Sequence, residues 1–361
     1  MALITFSRIV IVCVVAVALQ LIFSSSPYPI YLENPPPSSL LPAPPSNSKL
    51  QDVIKLGEGL LKQPEDVAVD KNGVLYTVTR DGSVQRLHRN GTWENWWQTH
   101  SPSLLGITTT AAGDLIVCDA NQGLLKVSEE GVKVISSHVD SAKIRFADDV
   151  IESSDGTLYF SDASSKFGFD SWTLDLLETE PNGRLLKYDP STNTTSLVLH
   201  SLAFANGVAL SANQDYLVVC ETWKYRCLKY WLEGDKKGET EIFVDRLPAR
   251  PDNINLAPDG SFWIALLEST PVWPRFVYKL AAFKYLARAF PKMFSNWVIK
   301  IVDKSMVVNV GSDGKIIRGF DDPTGKVMKF VTSAVEFEGH LYFGSLYNDF
   351  VGKLPLPLSS T

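Results

Sequence analysis

Glu65, Asp148, Asn206 and Asp252 hold the same position in four copies of a short sequence unit, and three of the four are carboxylates. Each unit opens with this residue, continues with a small or polar residue and Val or Ile, and passes through a turn into an apolar strand. Glu65-Asp66-Val67 leads to Gly73-Val74-Leu75-Tyr76, and Asp148-Asp149-Val150 leads to Gly156-Thr157-Leu158-Tyr159. Asn206-Gly207-Val208 leads to Asp215-Tyr216-Leu217-Val218, and Asp252-Asn253-Ile254 leads to Gly260-Ser261-Phe262-Trp263. Three carboxylates brought together without partners repel one another and resist burial. A hard cation removes that penalty, and an all-oxygen set of Asp, Glu and Asn suits Ca2+ rather than zinc or copper. Glu65, Asp148, Asn206 and Asp252 are therefore the expected metal ligands, with Asn253 adding a further oxygen. Asp66 and Asp149, one residue deeper, are placed to hold a second ion or to orient the first set. Such an ion polarises a carbonyl or phosphoryl oxygen, which makes Asp252 or Asp148 the expected nucleophile or base. Taken singly, each residue reads as an ordinary strand-opening or turn residue; the shared register sets them apart. No histidine stands at a unit position, and no G-x-S-x-G elbow supports a serine hydrolase.

These side chains meet only if the units are arranged around a common axis. Two further copies, Leu105-Gly106-Ile107 leading to Gly113 and Thr332-Ser333-Ala334 leading to Gly339, bring the number to six. Each interval holds a second pair of strand-like runs, among them Ser83–His88, Gly183–Tyr188 and Arg226–Trp231. Six repeats of four strands predict an all-β six-bladed β-propeller, an architecture in which radial repetition leaves only short edges. A sandwich or a parallel β-helix does not account for a repeated unit of this size. The innermost strand of each blade lines the axis, so the unit-opening residues form a ring at one end of the channel. Closure is expected between a strand near Val53–Leu56 and the run Phe350–Leu354. The interval between the fifth and sixth units is the longest, and a helical insertion between blades 5 and 6, residues 271–300, accounts for it. This insertion carries Arg275, Lys279, Lys284, Arg288, Lys292 and Lys300, no acidic residue, and many aromatics. It suits contact with an anionic membrane surface, a lid over the channel, or a helix packed on the propeller with its lysines solvated.

Residues 51–361 thus form the propeller. Ahead of it, residues 24–50 are rich in Pro and Ser and read as an extended linker. Residues 1–23 contain the apolar run Ile9–Phe23 behind Arg8 and read as a signal peptide or an uncleaved signal anchor. Either assignment directs the chain into the secretory pathway: vacuole, endoplasmic reticulum or the cell exterior. Cys220 and Cys227 lie on neighbouring strand-like runs and are either a disulfide or buried thiols. Sequons at Asn90 and Asn193 offer glycosylation sites in turn-like segments. A net charge of -6 gives no basic face for nucleic acid, leaving a small-molecule substrate as the expected partner.

Several segments together resemble the strictosidine synthase-like family, above all its plant members and the adipocyte plasma membrane-associated protein branch. They are Phe146-Ala-Asp-Asp-Val150, Tyr159-Phe-Ser-Asp-Ala-Ser-Ser-Lys166, Gly183-Arg-Leu-Leu-Lys-Tyr-Asp189, Phe204-Ala-Asn-Gly-Val208, Lys229-Tyr-Trp-Leu-Glu-Gly234 and Arg250-Pro-Asp-Asn-Ile254. The resemblance spans roughly residues 50–356. It implies kinship with the wider superfamily of calcium-dependent phosphotriesterases, paraoxonases and gluconolactonases, whose ligand pattern falls on Glu65, Asp148, Asn206, Asp252 and Asn253. Asp148 replaces a more usual Asn. The resemblance also implies a catalytic Glu at the sixth-blade ring position of a true strictosidine synthase, where this chain has Thr332, and a paraoxonase His at the second, where it has Leu105. Thr is no proton shuttle, which disfavours strictosidine synthase-type lyase activity. The expected function is calcium-dependent hydrolysis of small esters or lactones; the alternative is a non-catalytic binding propeller with a structural ion.

Overall fold

A computed structural model describes residues 40–178, 180–267 and 304–357, together with the isolated positions 12, 15, 16, 290, 292, 293 and 296. The short β-branched and aromatic runs form six four-stranded antiparallel sheets, the blades of a propeller. Their inner strands are Val67–Val69, Leu104–Thr109, Ala147–Glu152, Ala205–Leu210, Arg250–Leu256 and Val331–Phe337, blades 1 to 6 in order. Within blades 1 to 5 the strands follow outward in chain order. Blade 6 is completed from the other end of the chain: Ile54–Leu56 pairs antiparallel with Val351–Pro355, Ile54 opposite Lys353 and Leu56 opposite Val351. This is the expected closure, and it fastens the ring with the first strand of the domain.

Inner and second strands are apolar on both faces because neighbouring blades cover both. Val84, Leu104, Leu115 and Val117 fill the space between blades 1 and 2. Ala209, Val218, Ile254, Phe262, Ile264 and Val308 do the same between blades 4 and 5. Each such side chain contributes about 1.5–3 kcal/mol on full burial. Outermost strands face solvent: Thr194–Leu202 is exposed or half-buried along its length except at Leu202.

Antiparallel order fixes which connections reach the ring. An inner strand starts at the ring face, and the second strand returns to it. The links between second and third strands therefore emerge beside the ring, and two of them are long. In blade 3 this link carries the helix Trp172–Glu178, which the sequence pattern did not indicate. In blade 5 it comprises residues 268–304, between Phe262–Leu267 and Ser305–Val310. The insertion expected in the fifth-to-sixth interval thus interrupts blade 5 itself instead of following it. Apart from the isolated positions, residues 271–300 lie outside the described residues, as do the targeting segment 1–23 and most of the Pro/Ser-rich stretch.

The end of that stretch lies against the propeller. Leu41 N donates to the Arg246 carbonyl, Asn47 and Ser48 N–H groups donate to Asp321 Oδ1, and Leu50 is fully buried. Cys220 and Cys227 face each other on adjacent strands of blade 4 and form a disulfide, which resolves the alternative left by the sequence. Cys118 is free and buried, and burial pushes its thiol well up. Asn90 and Asn193 are exposed in hairpin turns joining third and fourth strands, on the face opposite the ring. No helix among the described residues is long and apolar enough to cross a membrane.

Candidate functional site: an oxygen ring at the channel mouth

The ladder between inner and second strands slips at one place in each of blades 2 to 5. The slips fall between Leu104 and Ile107, Ala147 and Val150, Ala205 and Val208, and Pro251 and Ile254. Each spans the two unit-opening residues. A bulge of this kind releases residues from regular pairing and re-aims their side chains, which is how sheets commonly build sites. Glu65 and Asp66 reach the same level by preceding the inner strand of blade 1, with Glu65 N bonded to the Val78 carbonyl.

Glu65, Asp148, Asn206, Asp252, Asn253 and Thr332 are all buried. Asn206 Nδ2 donates to Asp252 Oδ1 at 2.6 Å, linking blades 4 and 5. Asn253 Nδ2 donates to Glu65 Oε1 at 3.3 Å, linking blades 5 and 1. The Thr332 hydroxyl donates to the Glu65 carbonyl at 2.5 Å. Three oxygens of this set, Glu65 Oε2, Asn206 Oδ1 and Asn253 Oδ1, are buried without a hydrogen-bond partner. Orphaned buried acceptors are rare because each carries a desolvation penalty. Burial pushes the Glu65 and Asp148 carboxyls well above the usual range, and the neighbouring acids add to it: Asp66, Asp252 and Asp148 around Glu65, Asp252 and Asp149 around Asp148. Asp252 is pushed up to about 8 by burial, against the opposing bond from Asn206. An acidic, all-oxygen set with orphaned acceptors has the donor chemistry of a hard-cation site. Among the described residues no three His, Cys, Asp or Glu side chains form a metal-holding group by themselves, so an ion at this ring depends on the amide oxygens of Asn206 and Asn253.

Asp66 and Asp149 occupy the deeper layer and bond to backbone. Asp66 accepts from Val67 N at 2.7 Å and from Ile107 N of blade 2 at 2.8 Å. Asp149 accepts from Val150 N at 2.8 Å and from Val208 N of blade 4 at 2.7 Å. Each carboxylate thus ties its blade to the next. Gly106 and Gly207 make room for this: a Cβ on Gly207 would lie 2.5 Å from Ile254 N and 2.6 Å from the Asp252 carbonyl. A Cβ on Gly106 would lie 2.6 Å from Asp149 Oδ1. Leu105 lies buried among Ile116, Cys118 and Phe146, leaving an apolar sector in the ring.

Above the ring stand residues that sequence reading passed over. Phe146, Phe169, Phe204, Trp223 and Trp172 form a continuous aromatic wall over blades 3 and 4, with Phe204 and Trp223 centroids 4.5 Å apart. Asp175 anchors the helix beneath it, accepting from Trp223 Nε1 at 2.8 Å and from Ser164 Oγ at 2.6 Å. Arg80, in the turn after the second strand of blade 1, projects its guanidinium across blade 2 to the Phe169 ring, 4.2 Å from its centroid. The signal that could have found Arg80 is positional, since it directly follows a second strand and so belongs to the ring face.

Residues 148–235 match the family described as Strictosidine synthase, and residues 45–87 match Strictosidine synthase-like, N-terminal. Protein STRICTOSIDINE SYNTHASE-LIKE 4 of Arabidopsis thaliana is 36% identical over 312 residues, covering 83% of this chain and 81% of the relative. The chain belongs to the strictosidine synthase-like family. Mouse adipocyte plasma membrane-associated protein, 33% identical, covers 86% of the chain and 79% of its own length. Among solved structures the strictosidine synthase-like fold is similar to a gluconolactonase from Xanthomonas campestris, with a TM-score of 0.61 and 14% identity over 88% of this chain and 98% of that one. It is also similar to a calcium-binding protein, regucalcin, from Agrobacterium tumefaciens, with a TM-score of 0.56 and 12% identity over 84% and 92%. These two likenesses establish the propeller fold.

Proposed function

We propose that this strictosidine synthase-like propeller is a calcium-dependent hydrolase of small esters or lactones. Its metal-holding oxygens would be those of Glu65, Asp148, Asn206, Asp252 and Asn253. The observation that carries the reading is the set of three orphaned oxygens, Glu65 Oε2, Asn206 Oδ1 and Asn253 Oδ1, inside a ring whose acids burial holds above their usual range. Bound calcium would supply the positive charge that polarises a substrate carbonyl. The chain's own residues do the rest. Asp252, oriented by the Asn206 amide, and Asp148 are the candidate nucleophile and base, and the aromatic wall of Phe169, Trp172 and Trp223 offers an apolar surface for the acyl or leaving group. Two proteins of similar fold, a gluconolactonase and a calcium-binding protein, agree with this pairing of substrate and ion.

The test is hydrolysis of phenyl acetate by purified protein, which should disappear with EGTA and with Asp252→Ala. Activity that survives both removes the ring from the mechanism. One observation favours a second reading, a binding propeller with a structural ion: the amides already bond to ring carboxylates, so the ring is partly closed on itself. That reading gains if an ester and lactone panel is inert while calcium still raises the melting temperature. Lyase activity of the strictosidine synthase type is disfavoured by Thr332, whose hydroxyl is engaged with the Glu65 carbonyl.

A secretory location is part of the proposal. The Cys220–Cys227 disulfide supports an oxidising compartment, and the relatives named adipocyte plasma membrane-associated protein agree with a membrane-proximal one. Glycosylation at Asn90 and Asn193 would leave the ring face open.

A further inference from the structure

We propose that Arg80 is the anion-recognising residue of the channel mouth, so that the compounds bound here carry a carboxylate. The inference rests on the ring holding a divalent cation, as proposed above, and narrows the substrate class to esters or lactones with an acidic substituent. Arg80 begins on blade 1, donates from Nη1 to the Pro102 carbonyl at 3.2 Å ahead of blade 2, and sits over the ring of Phe169 of blade 3. Its guanidinium is thereby fixed across the mouth by a neutral carbonyl and a ring face. Among the described residues no carboxylate lies within salt-bridge distance of it; burial pulls it down to about 10, opposed through space by Glu65, Asp148, Asp252 and Asp170. A guanidinium has five N–H donors in a rigid fork that matches a carboxylate, and here one is engaged. None of the Arg80 nitrogens is among the buried atoms without partners, so the remaining donors face accessible space.

Charge count points the same way. Glu65, Asp148 and Asp252 carry three negative charges when ionised, and Asp66 and Asp149 lie beside them, so a divalent cation leaves the mouth acidic. Arg80 is the cation whose field reaches all three. It offsets part of that charge; without it, an approaching anion meets a more negative floor.

The experiment is calorimetry of the calcium-loaded full-length protein with phenylacetate and with phenylacetamide, its uncharged counterpart. The wild type should bind phenylacetate at least about tenfold more tightly than the amide, and Arg80→Gln should lose at least about tenfold for the anion while binding the amide as before. Arg80→Lys, which keeps the charge without the fork, should fall between. A wild type that does not distinguish the two ligands overturns the inference and needs no variant. So does an Arg80→Gln protein that keeps the preference, because the ion alone then holds the carboxylate. Failure of the hydrolase reading appears separately, as absent EGTA-sensitive turnover of phenyl acetate, and leaves the calorimetry to decide.

Discussion

Removing calcium should destabilise the chain more at pH 8 than at pH 6, and the ring gives the size of the difference. Asp252 has an ordinary value of 3.8, raised by burial to about 8 in the fold. Between these values the native state without an ion holds a proton that the unfolded chain has released. Stability therefore falls as pH rises, by up to about 1.4 kcal/mol per pH unit for each such group. Across pH 6 to 8 the loss from Asp252 is about 2 kcal/mol, because its titration is half complete at the upper limit. Glu65 and Asp148 act in the same direction. Asp66 and Asp175, each raised to about 6, lose most of their share below this window, whereas Asp149 beneath the ring, pushed well up by burial, adds to the slope. In a domain of this size the change corresponds to roughly 3 °C in melting temperature. Saturating calcium binds the ionised ring, abolishes the slope and adds its own stabilisation, about 2.7 kcal/mol at a hundredfold excess over Kd. The assay is thermal melting at pH 6, 7 and 8 in EGTA and in calcium chloride. A melting temperature in EGTA that does not fall with pH, or a calcium shift of equal size at both ends, refutes the claim that these acids are buried around an ion site.

Two other changes test the scaffold. Gly207→Ala forces a Cβ against the blade 5 backbone and should cost about 3 kcal/mol, read in a denaturant melt, with calcium affinity falling because Asp252 and Asn253 are displaced. Replacing Cys220 and Cys227 together by Ser opens a loop with a sequence separation of 7 and should cost about 2 kcal/mol, while calcium affinity stays within about twofold.

The repeat made the propeller legible, since a unit recurring in register can bury its apolar faces only against copies of itself. It also located the ring, because the register of Glu65, Asp148, Asn206 and Asp252 within the unit is their register along the axis. What lay beyond it was whatever breaks the repeat. The helix Trp172–Glu178 is too short to show a helical period, and its key residue, Asp175, looks like any acid until Trp223 and Ser164 meet it from other segments. Arg80 sits in the sequence Thr79-Arg80-Asp81-Gly82, which reads only as a turn. Its role depends on Phe169, and nothing in the spacing of Arg80 and Phe169 reveals that a side chain of blade 1 reaches past blade 2 to blade 3. The insertion was assigned to the wrong connection because the interval between units cannot tell a break inside a blade from one after it.

The deeper layer explains why the ring stops at three acids. Its positions run Asp66, Gly106, Asp149, Gly207, Asn253 and Ser333, a reaching side chain on every odd blade and a small residue on every even one. Asp66 and Asp149 reach forward to the backbone of blades 2 and 4. Asn253, the third of the series, turns instead to Glu65 and leaves its own oxygen unpartnered. A carboxylate there would add another negative charge beside Glu65, which Asp66, Asp252 and Asp148 already push up; the amide supplies an oxygen without the charge. Blade 6 is joined to blade 1 by other means, through the Thr332 hydroxyl on the Glu65 carbonyl. A glutamate at 332, the residue that the family resemblance leads one to expect, would likewise add charge to the ring and lose that join. In the hydrolase reading proposed above, proton transfer among the ring positions would therefore fall to Glu65, Asp148 or Asp252, while Thr332 of the sixth blade holds the Glu65 backbone.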